Sequence, residues 1–208
     1  MIKNIALIGY SGHSYVACEI LQAQGFSVTA YVGNKASKNP YKLAYLGLET
    51  EANVVVELAQ NFNYFIGIGN NTIREKLQEL LSLQIGNPVN AIHPTSIISP
   101  TSTIGHGCMI GANVVINPQV TIANGVICNT GAIIEHECRI GNYSHISPGA
   151  VLCGNVQVGH NSFIGANAVI KQNIIIGNNV TIGAGAVVIN NIANNEIMVG
   201  NPQKSILK

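Results

Sequence analysis

Aspartate and tryptophan are both missing from the 208-residue chain. Without Asp there is no Asp-based catalytic triad, no Walker-type acidic magnesium ligand and no EF-hand loop. Charge of either sign is scarce, at 9% of residues, where a soluble domain carries roughly 25%. Lys and Arg number 10 and the acids 9, so there is no basic footprint for nucleic acid or an anionic membrane, and neither partner is expected. Aromatics, at 5%, are too few for a base-stacking platform. No apolar run reaches the ~18–20 residues of a membrane span. With only a short apolar run behind Met1-Ile2-Lys3-Asn4, no leader peptide is expected. Five cysteines (Cys18, Cys108, Cys128, Cys138, Cys153) are odd in number and contain no C-x-x-C pair. A reduced, cytoplasmic chain is expected.

What the chain has instead is a repeat. From Ile92 to Val188 every sixth residue is apolar, 17 positions in succession without an insertion. Two residues before each lies Ser, Cys, Ala, Val or Ile, or Asn90 at the very start. Residues two apart on a strand share a face. Each hexad therefore offers one large and one small inward side chain, then a corner. Three hexads close a triangular coil of 18 residues, and coils stack in parallel roughly 4.8 Å apart. The expectation is a parallel β-helix, a triangular prism, over residues 92–192, with a tail at 193–208.

The outward positions form three columns. One reads Ile97, Val115, Ile133, Val151, Val169, Val187 and is apolar throughout. Such a face is a candidate subunit contact, although the β-propensity of Val and Ile explains it too. The second reads Thr103, Thr121, Arg139, Gln157, Ile175, Ala193, and the third Met109, Ile127, His145, Phe163, Thr181.

Residues 1–85 lack the hexad, and 86–91 read as a linker. Ile5–Ile8 is a buried strand, Ser14–Gln24 a helix ended by Gly25, Ser27–Val32 a second strand and Tyr64–Gly69 a third. Thr72 is placed as N-cap of a helix to about Leu83, with Glu75 completing a capping box. The sum is a small βαβ unit of Rossmann type. Its turn Gly9-Tyr10-Ser11-Gly12-His13 can offer backbone N–H groups to a phosphate, or can simply be a tight turn. The spacing is not G-x-G-x-x-G.

Between residues 80 and 195 only Glu135, Glu137, Arg139 and Lys171 are charged, and three of these lie within five positions around His136. A prism built almost without charge has concentrated it at one corner. A carboxylate beside an imidazole fixes its tautomer and raises its basicity, which suits a general base. A solvated corner histidine is the plainer alternative. His145 is central on the third face, where it can serve a site or pack beside Phe163. His106 and His160 read as surface residues and His93, before Pro94, as structural.

The hexads resemble those of the hexapeptide-repeat acyltransferases, whose prism is left-handed. The segments Gly9-x-Ser11-Gly12-His13, Ile68-Gly69-Asn70-Asn71, Asn129-Thr130 and Ile134-Glu135-His136-Glu137-Cys138-x-Ile140-Gly141 narrow the likeness. They are similar to bacterial sugar acetyltransferases related to the sialic-acid O-acetyltransferase and the UDP-4-amino-sugar N-acetyltransferase. The resemblance implies an α/β N-terminal Rossmann-like βαβ domain followed by a left-handed parallel β-helix. It implies acetyl-CoA as co-substrate and N-acetylation of a nucleotide-linked sugar in bacterial glycan biosynthesis, with O-acetylation of a sialic-acid-like sugar as the alternative. It makes His136 the base and Glu137 its assistant. Ser11, Gly12, His13 and Gly69 would touch the nucleotide-sugar, together with Gly33 and Asn34, where the family often has acids. Gly154, Ala166 and Ala184 would line the acetyl-CoA groove of a homotrimer, with His145 reaching it from a neighbouring chain.

A metal lyase of the γ-carbonic-anhydrase kind shares the prism but needs three convergent imidazoles. The spacings of 30, 9 and 15 between His106, His136, His145 and His160 do not supply a close pair, so no metal is expected. A non-catalytic scaffold is the remaining class, against which the Glu-His-Glu corner argues.

Overall fold

The structure, a computed structural model, describes residues 4–36 and 39–206. Met1–Lys3, on which the expected lack of a leader partly rests, lie outside the described residues, as do Leu207 and Lys208 of the tail. No helix among the described residues is long and apolar enough to cross a membrane.

The first part of the chain is a parallel sheet flanked by helices. Its elements are β1 (Asn4–Ile8), α1 (Gly12–Ala23), β2 (Val28–Val32), β3 (Ala44–Tyr45), α2 (Ala52–Asn61), β4 (Phe62–Ile66) and α3 (Asn71–Ile85), with strand order β3-β2-β1-β4. Both faces of β1 are buried, so it reads as an unbroken apolar run. Helix α1 starts two residues earlier than expected, and Gly25 follows it at φ +88°. The sequence reading missed α2, a ten-residue segment of which only Val54 and Leu58 are buried. It also misplaced the cap of α3. Asn70, not Thr72, is the N-cap, and its side chain accepts from the Ile73 N–H at 3.0 Å. Glu75 does not complete a capping box but pairs with His160 at 2.9 Å.

Seventeen two-residue strands follow, from Ala91–Ile92 to Val187–Val188. They stack in three parallel sheets, each strand in register with the one 18 residues on, as in Thr121 on Arg139 and Ile133 on Val151. The inward Ile ladder and its small partners make one buried cluster. Buried Ser144 and Ser162 donate to the carbonyls of Gly159 and Gly177, so the small inward hydroxyls are satisfied. From Gly107 to Gly185 every sixth residue turns the corner at positive φ, and most are Gly or Asn. Asn tolerates that region better than other side chains, which accounts for its recurrence at these corners. The last coil is short. Ile192 pairs with Ile176 and Ile197 with Thr181, each 16 residues apart, so Ala193 does not continue the second column. Part of the expected tail, Ile197–Val199, is instead an added strand on the third face.

The third face is not free. Ala91, Met109 and Ile127 share a buried cluster with Ala17, Cys18, Leu21 and Phe65 of the N-terminal unit. The segment expected as a linker is docked too: the Val89 N–H donates to the Tyr64 carbonyl and Ala91 is fully buried. Helix α3 lies along the corner between the second and third faces. There Arg74, 1% exposed, spends all five of its N–H donors. Nε donates to Gly125 O, Nη1 to Ile68 O and Gly69 O, and Nη2 to Asn71 Oδ1 and Tyr143 O. Burial pushes its pKa down to about 10, so it remains a cation at neutral pH. Among the described residues the second face and the first, apolar column are not covered by the N-terminal unit, and Ile97 there is 68% exposed.

Arg74→Met strands buried carbonyls and should cost about 3 kcal/mol or more, read as a lower urea midpoint. Arg74→Lys, with three donors and no planar fork, should recover little of it. An unchanged midpoint in the Met variant would remove Arg74 from its role as the clamp.

Candidate active site

His136 sits on the corner leaving the apolar first face, between the strands Ile133–Ile134 and Arg139–Ile140. Its Nδ1 lies 3.0 Å from Glu137 Oε2. A carboxylate can only accept, so Nδ1 carries the proton and Nε2 presents its lone pair. The His136 side chain is 60% exposed. Glu137 holds a corner position at φ +63°, where neighbouring coils mostly use Asn or Gly. A Glu there costs backbone energy that Gly would avoid, the kind of strain found at functional positions.

One coil above, Gly154 lies against the imidazole. A Cβ at Gly154 would stand 2.6 Å from His136 Cε1 and 2.7 Å from Nε2. The Gly154 N–H donates to no partner among the described residues. His136, Glu137, Cys153, Gly154, Gln172 and Asn173 border an open depression of about 380 Å³. This is a cradle that only a bare backbone leaves open, with the Nε2 lone pair and the Gly154 N–H facing the same space. Ala166 and Ala184 are stacked one coil apart on a different corner, where the third face turns into the first; the Gly165 and Ala184 backbones are in close approach there. Within one chain they do not meet Gly154.

A second cavity, of about 410 Å³, opens at the carboxyl ends of the parallel strands of the N-terminal unit. That is the usual ligand position in such sheets. Ser11, Gly33 and Asn34 line it. Ser11 is the N-cap of α1 but makes no capping hydrogen bond, and a Cβ added at Gly12 would meet open space, so the first amides of α1 stay open to a ligand. Gly9, at φ +84°, faces Ile68 so closely that a Cβ would clash at 2.7 Å. Tyr10, Lys35, Glu49, Ile68, Ile73 and Leu77 complete the lining, and of these Lys35, Glu49, Ile73 and Leu77 were not singled out in the sequence.

His13 and Gly69 are placed elsewhere. They pack against each other at the junction of unit and prism, with the His13 ring 5.6 Å from that of His145. His145 is 7% exposed and lies 5.1 Å from the Phe163 ring. Asn129 Nδ2 donates to its Nε2 at 3.3 Å, which leaves Nδ1 as the protonated nitrogen, buried near the Gly69 backbone. Burial, with the Arg74 charge second, pushes the His145 pKa down to about 3 and that of His13 down as well. His145 is thus a covered neutral imidazole in its own chain, packed beside Phe163 as one of the two sequence readings has it. His160 is likewise no plain surface residue, being paired with Glu75. His93 is held by Thr95, as a structural residue would be. Among the described residues no three His, Cys, Asp or Glu side chains are grouped to share a metal ion.

The two sites lie apart. The N-terminal unit covers the third face, while His136 occupies the corner shared by the first and second faces, opposite it. The sequence reading missed Arg74 and Gln78, although both fall at i, i+4 on one face of α3.

Comparison with known proteins finds relatives of both parts of the chain. The family model for the PglD N-terminal domain matches residues 4–81, and that for the bacterial transferase hexapeptide (six repeats) matches 155–190. UDP-N-acetylbacillosamine N-acetyltransferase of Bacillus subtilis (strain 168) is 33% identical over 113 residues, 53% of this chain. The match spans about half, 52%, of that relative's length. A mutant of perosamine N-acetyltransferase from Caulobacter crescentus, solved with CoA and GDP-perosamine, aligns over 100% of this chain and 99% of its own at 31% identity and a TM-score of 0.94. The acetyltransferase domain of PglB from Neisseria gonorrhoeae FA1090, solved with acetyl coenzyme A, aligns over 99% and 100% at 31% identity and 0.92. The expected fold class, a Rossmann-like unit followed by a left-handed parallel β-helix, is borne out.

The buried neutral imidazoles give stability a pH dependence. The folded pKa of His145 lies below the unfolded value, so only the unfolded chain gains that proton as pH falls below about 6.5. Stability should be full above that pH and decline toward pH 3 by about 1.4 kcal/mol per pH unit for this group. Urea titrations at a series of pH values should show a shallower decline in His145→Gln. An identical slope would mean that the ring is not held neutral.

Proposed function

Because the chain belongs to the hexapeptide-repeat sugar acetyltransferases, we propose that it acetylates an amino group on a nucleotide-linked sugar, with acetyl-CoA as donor. The observation that carries this reading is the His136–Glu137 pair set beside the bare Gly154. The relatives are named for N-acetyl transfer, which supports the amine over the hydroxyl alternative. When bound, acetyl-CoA supplies the acetyl group as a thioester. His136 Nε2 takes the proton from the attacking amine as the new N–C bond forms. Glu137 holds the imidazole in the productive tautomer and stabilises its cation. The Gly154 N–H stabilises the charge that develops on the carbonyl oxygen. As the C–S bond breaks, the imidazolium returns its proton to the departing thiolate.

The opposed positions of base and nucleotide cavity make one chain insufficient, and we assign the complete site to a homotrimer. The apolar first face is bounded by the His136–Gly154 corner on one side and the Ala166–Ala184 corner on the other. Cyclic burial of that face brings the first corner of one chain to the second corner of its neighbour. The groove between them suits pantetheine. The neighbour's N-terminal unit, with Ser11, Gly12, Gly33 and Asn34 on its ligand cavity, then brings the sugar to His136. His13, Gly69 and His145 border that junction from the neighbour's side.

His136→Ala should reduce thiol release from acetyl-CoA by roughly 100- to 10,000-fold while acetyl-CoA binding stays close to wild type. Gly12→Glu, which puts a carboxylate before the α1 amides, should abolish nucleotide-sugar use. Subunits of the two variants, mixed and reassembled, should regain up to about a quarter of wild-type turnover, since some interfaces then pair two intact halves. No recovery on mixing would place both halves of the site in one chain.

A further inference from the structure

We infer that the cavity of the N-terminal unit selects a guanine nucleotide, with Glu49 as the residue that reads the base. The inference rests on the nucleotide-sugar reading above and narrows its substrate class.

The cavity lining has two unlike parts. Ile68, Ile73 and Leu77 form an apolar one, and Ile73 remains 49% exposed there although it is a large aliphatic side chain on α3. Such a wall covers the flat face of a purine or pyrimidine ring, burying apolar area that now faces water. Asn34, Lys35 and Glu49 supply the polar side chains of the same lining. Gly33-Asn34, directly after β2, bring no carboxylate to the ribose position, so Glu49, partly buried in the loop before α2, is the one carboxylate on the wall among the described residues.

A carboxylate only accepts hydrogen bonds, and with two oxygens it accepts two in parallel. The guanine edge offers two adjacent donors, N1–H and the N2 amine, beside the O6 acceptor. Glu49 matches the donor pair and Lys35 the acceptor. Uracil and thymine offer a single N3–H flanked by two carbonyl oxygens, and a carboxylate facing that edge meets a lone-pair repulsion on either side. Adenine offers one donor, the N6 amine, beside an acceptor at N1, so one carboxylate oxygen is satisfied and the other meets a lone pair. Burial in the cavity sharpens the discrimination, because a mismatched polar edge loses water without regaining a partner.

The test is calorimetric titration of the full chain with GDP, inosine diphosphate, UDP, dTDP and ADP. GDP should bind about tenfold or more tightly than UDP, dTDP or ADP, and inosine diphosphate, which lacks the N2 amine, should fall between. Glu49→Gln should lower GDP affinity selectively, and its unchanged UDP affinity serves as the folding control. UDP, dTDP or ADP binding as tightly as GDP would overturn the inference, as would a Glu49→Gln variant that weakens every nucleotide alike. Acetyl transfer to a UDP-linked amino sugar together with tight UDP binding would sink this inference and leave the proposed function standing. Failure of all five nucleotides to bind would sink both.

Discussion

In the prism, a residue's environment is set by the residue 18 positions before it and the one 18 after. Parallel pairing in constant register leaves no freedom to slide, since a one-residue slip would exchange inward Ile for outward polar side chains. The consequence for chemistry is positional. His136 is followed one coil later by Gly154, and only a glycine leaves room there for the imidazole and a reacting group. Glu137 is placed at a positive-φ corner by the same repeat, which holds its carboxylate against Nδ1. A long, flexible loop could not hold this pair so closely; a stack of two-residue strands and tight corners can.

The N-terminal unit is fastened to this frame by a different kind of force. Arg74 has no acid partner. Its charge is compensated by four backbone carbonyls and one side-chain amide oxygen. A buried cation of this sort is tolerated only when every donor is used. The five bonds span both parts of the chain, joining the Ile68–Asn71 turn to the Gly125 and Tyr143 corners. They lie close to the His13–His145 contact, so the fastening sits where the two parts would have to cooperate. The unit is thereby held on one face, and the opposite corner of the prism is left open for a neighbour.

Much of this could be read in the sequence because the hexad is a strict periodicity with a strict physical cause. Inward Ile and small residues, the three outward columns and the charged corner at 135–139 all follow from counting in sixes. The Asn-rich corners do as well, once left-handed turns are recognised. What could not be read was tertiary override. His145 stands in an outward column like Phe163, yet one is covered and the other half-open, because docking of the N-terminal unit ends between them. The burial of Arg74 depends on carbonyls some 50 to 70 residues away, for which local sequence carries no signal. Asn70 took the cap from Thr72 because either can serve, and the choice depends on where the strand before it stops. Ala193 fell out of its column because the final coil drops two residues, a change the repeat itself does not announce.

The central claim is that the base of one chain acts on a sugar presented by the next. A crystal structure of the full chain with CoA and a nucleotide-linked amino sugar tests it most directly. It should show the CoA sulfur in a groove between two prisms, beside His136 Nε2 of one subunit, and the sugar amine delivered from the N-terminal cavity of the adjacent one. Both ligands held by a single chain, or His136 facing bulk solvent away from the sulfur, would contradict it.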